Sequence, residues 1–374
     1  MIYLDYNATT PLEPVVKKEV TDTFEKFGNP SSIHSFGRKA KEVINIARQK
    51  VAKLIDASSE EIIFTSGGTE SNNLAILGRA FCFNSGHIIT SSIEHPSVLN
   101  PCRQLSRMGY AITFLPVNSK GMVDPADVKK AIRKDTILIT IMHSNNETGV
   151  IQPIKEIAEI ASEYNIPFHT DCSQSIGKVS VSIKDLSVSM LTIAGHKFYA
   201  PKGIGALFIK EGLILHPILY GASHEKGLRP GTENTPYIAG FGKACEIVYN
   251  ELEAIRKHLK NVTSLLIEKL LEIPGTKLNC EDTLCIQNTV NLSIKGIIGE
   301  ELVQKLSDKV AISSGSACHA GICKPSHVLL AMGLSPEQAL SSVRISTGKF
   351  TTEDDVKEAS EIIKKEILTL KEKS

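Results

Sequence analysis

Apolar positions along the first two-thirds of the chain alternate between a helical period and short continuous runs. Spacing near 3.6 residues predicts helices over 11–26, 37–57, 69–83, 96–108, 125–133 and 153–164. Between them, short apolar and β-branched runs predict strands at 61–65, 87–90, 111–115, 137–142, 167–169, 190–193 and 205–209. Strands apolar along their whole length, separated by amphipathic helices, imply a mainly parallel sheet covered by helices on both faces. In that architecture ligands gather at the carboxyl ends of the strands.

Beyond residue 235 the pattern changes. One long helical stretch over 236–271 stops at Pro274-Gly275 and is expected to cross from a large domain to a smaller one. Strands follow at 276–278 and 289–293, a helix at 300–306, a strand at 310–312, two short helices, a strand at 342–346 and a closing helix at 352–371. The chain therefore reads as α/β: a large domain over 15–255 with the mainly parallel sheet, and a smaller α+β domain from 1–14 and 256–374. The Lys/Glu run of the closing helix reads as a solvated face. No internal repeat or low-complexity segment interrupts the pattern.

Length and charge narrow the function. The 374 residues suffice to bury a large core in two domains. A formal net charge of +1 and a pI near 7.6 leave no basic excess for direct nucleic-acid binding. No uncharged apolar run reaches the roughly 18 residues of a membrane span, and Asp5 follows no basic leader. A cytoplasmic protein with no membrane partner is expected. The cysteines (82, 102, 172, 245, 280, 285, 318 and 323) are dispersed, too sparse for a disulfide scaffold, and are expected to be reduced. Most read as small core residues. Cys318 differs: it follows Ser313-Ser314-Gly315-Ser316-Ala317 and precedes His319 and Gly321, a setting for a swinging loop that leads into a helix.

Three further segments carry chemistry. From Ile62 to Asn73 the chain reads as strand, glycine turn and helix start. Gly67 and Gly68 let backbone N–H groups approach an anion, Thr69 adds a hydroxyl, and the helix N-terminus favours phosphate. The run is neither a Walker loop nor Gly-x-Gly-x-x-Gly, and on this motif alone a strand-to-helix turn with a Ser/Thr cap is the slightly better explanation. Asp171 ends a strand, where a carboxylate could bind metal, act as a base or pair with a protonated ring nitrogen, and taken alone it reads equally as a cap or turn residue. Lys197 follows Gly195-His196 directly after another strand, where a lysine amine can attack a carbonyl if its charge is suppressed. Phosphate-loop glycines, a strand-end aspartate and a lysine about 26 residues later form a set more specific than its parts.

With these residues in view, the chain resembles the class V branch of pyridoxal-phosphate enzymes, specifically the group I cysteine desulfurases. The similarity covers essentially the whole length. It runs through Tyr3-Leu4-Asp5-Tyr6-Asn7-Ala8-Thr9-Thr10-Pro11, Gly28 to Ser32, Phe64 to Ser71, Ile93-Glu94-His95-Pro96 and Asn145 to Gly149. It continues through Asp171-Cys172-Ser173-Gln174, Gly195-His196-Lys197, Arg229 to Asn234 and Ser313 to Cys318. The resemblance implies fold type I, as in aspartate aminotransferase, a homodimer, and pyridoxal 5'-phosphate bound to Lys197 as a Schiff base. Asp171 would pair with the pyridine nitrogen, and His95 would stack on the ring and help move protons. Gln174 and Asn146 would lie near the ring hydroxyl and the substrate. Gly68, Thr69 and His196 would hold the phosphate, with Thr232 reaching over from the second subunit. Arg344 would clamp the substrate carboxylate, a task that suits a planar guanidinium fork.

The same resemblance implies that L-cysteine loses its sulfur to Cys318, giving L-alanine and a protein persulfide. An acceptor protein, such as an iron–sulfur scaffold or a tRNA-thiolation enzyme, would then collect the sulfur. Because thiolate is the nucleophile, a cation such as His319 would help Cys318. Cys323 is either a relay thiol for the persulfide or incidental. A zinc site from Cys318, Cys323, His319 and His327 lacks paired spacing, so no metal is expected. Local alternatives stand beside three assignments: His95 as a helix cap, Asn146 as a turn residue and Arg344 as a structural ion-pair partner. Two departures from relatives are Ala194, where many carry a phosphate-binding serine, and a short run after Leu370 in place of the tail used for scaffold docking. Selenocysteine lyase is the nearest rival activity. An aminotransferase, which has no use for Cys318, and a non-catalytic scaffold on the same fold are the others.

Overall fold

The computed structural model describes residues 1–314 and 324–372. Twelve strands run in chain order among the described residues: β1 Ile2–Tyr3, β2 Ile62–Thr65, β3 His87–Ser91, β4 Ala111–Leu115, β5 Thr136–Thr140, β6 Phe168–Asp171, β7 Met190–Ala194, β8 Gly205–Ile209, β9 Thr276–Leu278, β10 Thr289–Ile294, β11 Val310–Ala311 and β12 Ser342–Ser346. Seven of them form one sheet in the order β2-β8-β7-β6-β5-β3-β4. All neighbours are parallel except β8, which runs antiparallel to both β7 and β2. The expectation of an α/β chain with a mainly parallel sheet holds. The reversal at β8 has a simple cause: only the 3₁₀ turn Gly195–Lys197 and a short loop separate it from β7, too little chain for a parallel crossover.

β2, β3, β5, β6 and β7 therefore point the same way, and their carboxyl ends meet at one rim. The inner strands β3, β6, β7 and β8 are buried along their whole length, as continuous apolar runs require when both faces are covered. One large apolar core joins helices Ser35–Leu54 and Ile154–Glu163 to one sheet face, and another joins Gly68–Ala80 and Pro96–Arg107 to the other. Fully burying each Val, Ile, Leu or Phe of these faces contributes about 1.5–3 kcal/mol.

The helix Thr235–Leu271 has 37 residues, a length of about 55 Å. Its first half buries Ile238, Phe241, Cys245 and Val248 in the sheet core. Its second half buries Val262, Leu266 and Leu270 in a separate core with Leu292, Ile345, Ile363 and Ile367. That second core covers a three-stranded antiparallel sheet, β12-β10-β9. The N-terminal segment bridges the two: Leu4 enters the second core and Tyr6 the first.

Several boundaries differ from the sequence reading. The first helix is Pro14–Thr23 rather than 11–26, because Pro14 occupies its first turn, where a missing N–H costs nothing. The strand expected to reach residue 142 ends at Thr140, and Met142 instead donates its N–H to Glu94 Oε1 over 2.9 Å. The strand β6 extends to Asp171, so that residue belongs to the ladder, opposite Thr192. The pairing of β1 with β11 and the single-turn helix Ile183–Leu186 had no counterpart in the apolar pattern.

Candidate active site

At the shared rim of carboxyl ends lies a cavity of about 370 Å³. Nine of the candidate residues, Gly68, Thr69, His95, Asn146, Asp171, Gln174, His196, Lys197 and Arg344, line it, and Ala194 lies beside them. Thr232 is exposed and outside the cavity of its own chain. Cys318, with His319 and Cys323, lies outside the described residues.

At one end, β2 delivers the chain into the helix Gly68–Ala80 through Gly67, whose φ of 145° disfavours any side chain. A Cβ on Gly68 would stand 2.9 Å from Ser173 Oγ and 3.3 Å from Ala194 Cβ, so only glycine leaves the helix N-terminus open. The unpaired N–H groups there favour an anion. His196 stands nearby with Nδ1 3.2 Å from Thr9 Oγ1. Burial, then the Lys197 cation, lowers its pKa to about 4, so the ring is neutral.

At the other end, the β6 terminus fixes Asp171. Asn72 Nδ2 donates to Asp171 Oδ2 over 2.7 Å, and the Ser173 N–H donates to Oδ1 over 2.8 Å. Asn72 comes from the first turns of the Gly68–Ala80 helix, so one element presents both the anion end and a clamp on the carboxylate. His95 follows β3. Its Nδ1 accepts the Ser97 N–H at 3.1 Å, capping the helix Pro96–Arg107, and the same ring lines the cavity. The cap and the cavity wall are thus one residue. Burial is the chief cause of its lowered pKa.

Lys197 closes the 3₁₀ turn after β7. Its Nζ donates to the carbonyls of Asn7 at 2.6 Å and Ala8 at 2.8 Å. Burial, then the Arg344 cation, lowers its pKa from 10.5 to about 8, against the opposing pull of Asp171 and Asp5. Arg344, on β12, donates from one guanidinium nitrogen to the Asn146 carbonyl at 3.0 Å and from the other to Asp5 Oδ1 at 2.7 Å. Its Nε is buried with no partner among the described residues. The backbone of Asn146 therefore braces Arg344, and the same residue lines the cavity.

Sequence reasoning gave no role to Asn7, Asn72 or Asp5. Asn7 is the densest polar junction of the site. Its carbonyl accepts from Lys197 and from Gln174 Nε2 (2.9 Å), its Nδ2 donates to Thr289 Oγ1 (2.7 Å), and its Oδ1 accepts from Asn288 Nδ2 (3.0 Å). The motif from Tyr3 to Pro11 marked this segment, but nothing local could reveal partners more than a hundred residues away.

The arrangement can hold an anionic group at one end, a protonated ring nitrogen at the other and an aldehyde at Lys197, with a guanidinium for a substrate carboxylate. Residues 2–358 match the class-V aminotransferase family model. A protein named cysteine desulfurase IscS from Dictyoglomus turgidum is 46% identical over 379 residues, spanning 99% of this chain and 95% of that protein. A solved structure described as a NifS-like protein superposes with a TM-score of 0.92 at 36% identity, covering 98% of this chain and 99% of its own. Another, described as SspA in complex with cysteine, gives a TM-score of 0.83 at 38% identity, covering 94% of this chain and 100% of its own.

Proposed function

The chain belongs to the class-V aminotransferase family and, within it, to the cysteine desulfurases, and on that premise we propose how its residues divide the reaction. The enzyme takes sulfur from L-cysteine, and the finer reading is that pyridoxal 5'-phosphate is the cofactor and Cys318 the sulfur acceptor. What most supports the cofactor is a buried amine, Lys197, with its pKa lowered to about 8, lining one cavity with the Asp171 carboxylate and an open helix N-terminus. These groups fit the cofactor's aldehyde, protonated pyridine nitrogen and phosphate respectively. Bound there, the cofactor would serve as an electron sink for the pair left on the substrate carbon when its proton departs.

The protein residues do the rest. Arg344 binds the cysteine carboxylate through its fork and so presents Cα to the cavity. Asp171, clamped by Asn72 and Ser173, keeps a proton on the ring nitrogen. Lys197 Nζ, neutral in a large fraction of molecules near pH 8, takes the Cα proton. His95 covers the ring and relays protons, and Gln174 and Asn146 flank the ring hydroxyl and the substrate. Gly68, Thr69 and His196 receive the phosphate, and Thr232 completes that end from the partner subunit of a homodimer. In the transfer step the Cys318 thiolate attacks the substrate sulfur. An S–S bond forms as the C–S bond breaks, the bond pair stays on carbon, and protonation there releases alanine. A sulfur-acceptor protein then collects the persulfide, and the setting is cytoplasmic.

The test is alanine formation from L-cysteine and L-selenocysteine by the wild type and Cys318→Ala. Loss of cysteine turnover in Cys318→Ala, with retained cofactor absorbance, is the expected result. Persistent cysteine turnover in Cys318→Ala would remove Cys318 from the mechanism, and a wild type that turns over selenocysteine but not cysteine would favour a lyase.

A further inference from the structure

Lys178 is almost unexposed, at 5%, and among the described residues no carboxylate pairs with it. It lies seven residues after the end of β6 and four beyond Gln174, in the turn that follows the strand. Its Nζ donates to Gln174 Oε1 over 2.7 Å and to Asn7 Oδ1 over 3.1 Å. Burial, then the cations of Lys197 and Arg344, pushes its pKa well below the usual lysine value. Burying an amine in such a place is costly unless its hydrogen bonds accomplish something. Both acceptors are neutral amide oxygens, and both belong to residues that touch the Lys197 site.

The orientation of Gln174 follows from these neighbours. Oε1 faces the Lys178 amine, while Nε2 donates to the Asn7 carbonyl over 2.9 Å. A flipped amide would set Oε1 against that carbonyl oxygen and its NH₂ against the amine. The second N–H of Gln174 is left for the cavity that the residue lines. Lys178 also holds Asn7, whose carbonyl accepts from both Gln174 and Lys197. One buried amine thus braces the two groups that surround the lysine's reactive end.

We propose that Lys178 is a positioning residue that, by donating to Gln174 and Asn7, fixes the Gln174 amide so that an N–H donor meets the phenolic oxygen of the cofactor. This rests on the reading of Gln174 as the partner of the ring hydroxyl. A donor at the phenolic oxygen spreads its negative charge and weakens its hold on the proton of the neighbouring lysine–cofactor linkage. Loss of the donor strengthens that hold, so the linkage titrates at higher pH.

The experiment titrates the visible absorbance band of the holoenzyme against pH for Lys178→Met, Gln174→Leu and the double variant, with cofactor affinity measured by fluorescence on the apoproteins. Gln174→Leu is expected to raise the linkage pKa by about one unit, tenfold in proton affinity, the size of one hydrogen bond. Lys178→Met should move it the same way and weaken cofactor binding, and the double variant should go no further than Gln174→Leu alone. Lys178→Gln, which keeps a donor, should fall between wild type and Lys178→Met, and it carries the same comparison where Lys178→Met does not fold. If Gln174→Leu leaves the titration unmoved, the reading of Gln174 fails. If Gln174→Leu moves it while the Lys178 variants do not, or if the two effects add, the role given to Lys178 is overturned.

Discussion

Lys197 and Asn7 stand 190 residues apart in sequence, yet the amine of one donates to the backbone carbonyl of the other over 2.6 Å. The contact aims Nζ into the cavity without a carboxylate that would lock it as an ammonium. Burial and Arg344 set its pKa at about 8, so roughly a tenth of the amine is neutral at pH 7 and half at pH 8. Only the neutral amine attacks an aldehyde. The rate at which apoprotein takes up pyridoxal phosphate should therefore rise about tenfold per pH unit below pH 8 and level off above it. Stopped-flow absorbance checks this; a flat profile from pH 6 to 9 contradicts it. Lys197→Arg should bind the cofactor without forming the covalent linkage.

Arg344 is half-engaged, with one nitrogen on the Asn146 carbonyl, the other on Asp5, and Nε unpartnered among the described residues. A substrate carboxylate would add to this fork rather than create it. Arg344→Lys keeps the charge but not the fork, and should raise KM for cysteine about 10- to 100-fold with a smaller change in kcat. Steady-state kinetics separate the two. A fall in kcat at constant KM would place the carboxylate elsewhere.

How much of this was legible in the sequence depends on the range of each cause. The strand–helix alternation is local, and it located the sheet, the rim and the glycine turn at Gly67-Gly68. The direction of β8 was not legible, since an apolar run reads the same in both senses and only the shortness of its link to β7 decides. The two-residue strand β1 exists because β11 pairs with it, a partner more than 300 residues distant. Lys178 illustrates the same limit at the site. No motif in the sequence gave it a role, and its burial follows from two acceptors, Gln174 four residues away and Asn7 brought from the N-terminus. Among the candidate residues, Asp171, His95 and Arg344 line the cavity, Thr232 lies outside it and Cys318 falls outside the described residues, while the supports of the first three did not announce themselves.

Two buried carboxyls make stability fall as pH rises. Burial raises Glu147 from 4.5 to about 7, against help from the Ser326 hydroxyl (2.5 Å) and Arg344. Burial likewise raises Glu94 to about 8. Each stays protonated in the native state over a range where the unfolded chain has lost its proton. The native state then binds more protons, and stability declines from about pH 4.5 up to about 7 for Glu147 and about 8 for Glu94. Glu147→Gln removes its share of this slope, worth about 3 kcal/mol at most. Its unfolding midpoint should match wild type near pH 4.5 and exceed it above pH 7. Denaturant unfolding across pH 5–8 tests this, and a variant less stable at every pH contradicts it.

Ion pairs hold the segment leading to Thr232: Arg229 meets Glu70 at 3.0 Å, Lys226 meets Glu60 at 3.0 Å, and the most buried of them joins Arg48 to Glu225. Arg48 meets Glu225 at 2.5 Å and 2.8 Å, and Glu225 Oε2 also accepts the Phe64 N–H over 2.8 Å at the edge strand β2. Arg48 in turn donates to the Ile62 carbonyl and lies 4.6 Å from the Phe64 ring centroid. The carboxylate reaches β2 because Glu225 and Lys226 adopt φ of 45° and 59°, left-handed conformations that cost about 1–3 kcal/mol each. Only a well-paired Glu225 offsets that strain. Arg48→Met leaves a carboxylate buried without its cation and should destabilise the protein by about 3–5 kcal/mol. Glu225→Met frees the strained turn and strands Arg48, with a similar cost. Removing both should cost less than the two singles combined, a coupling of about 1–3 kcal/mol in a double-variant cycle of urea unfolding. Additive losses would mean that the two residues stabilise the chain separately and that the turn at 225–227 does not depend on their pairing.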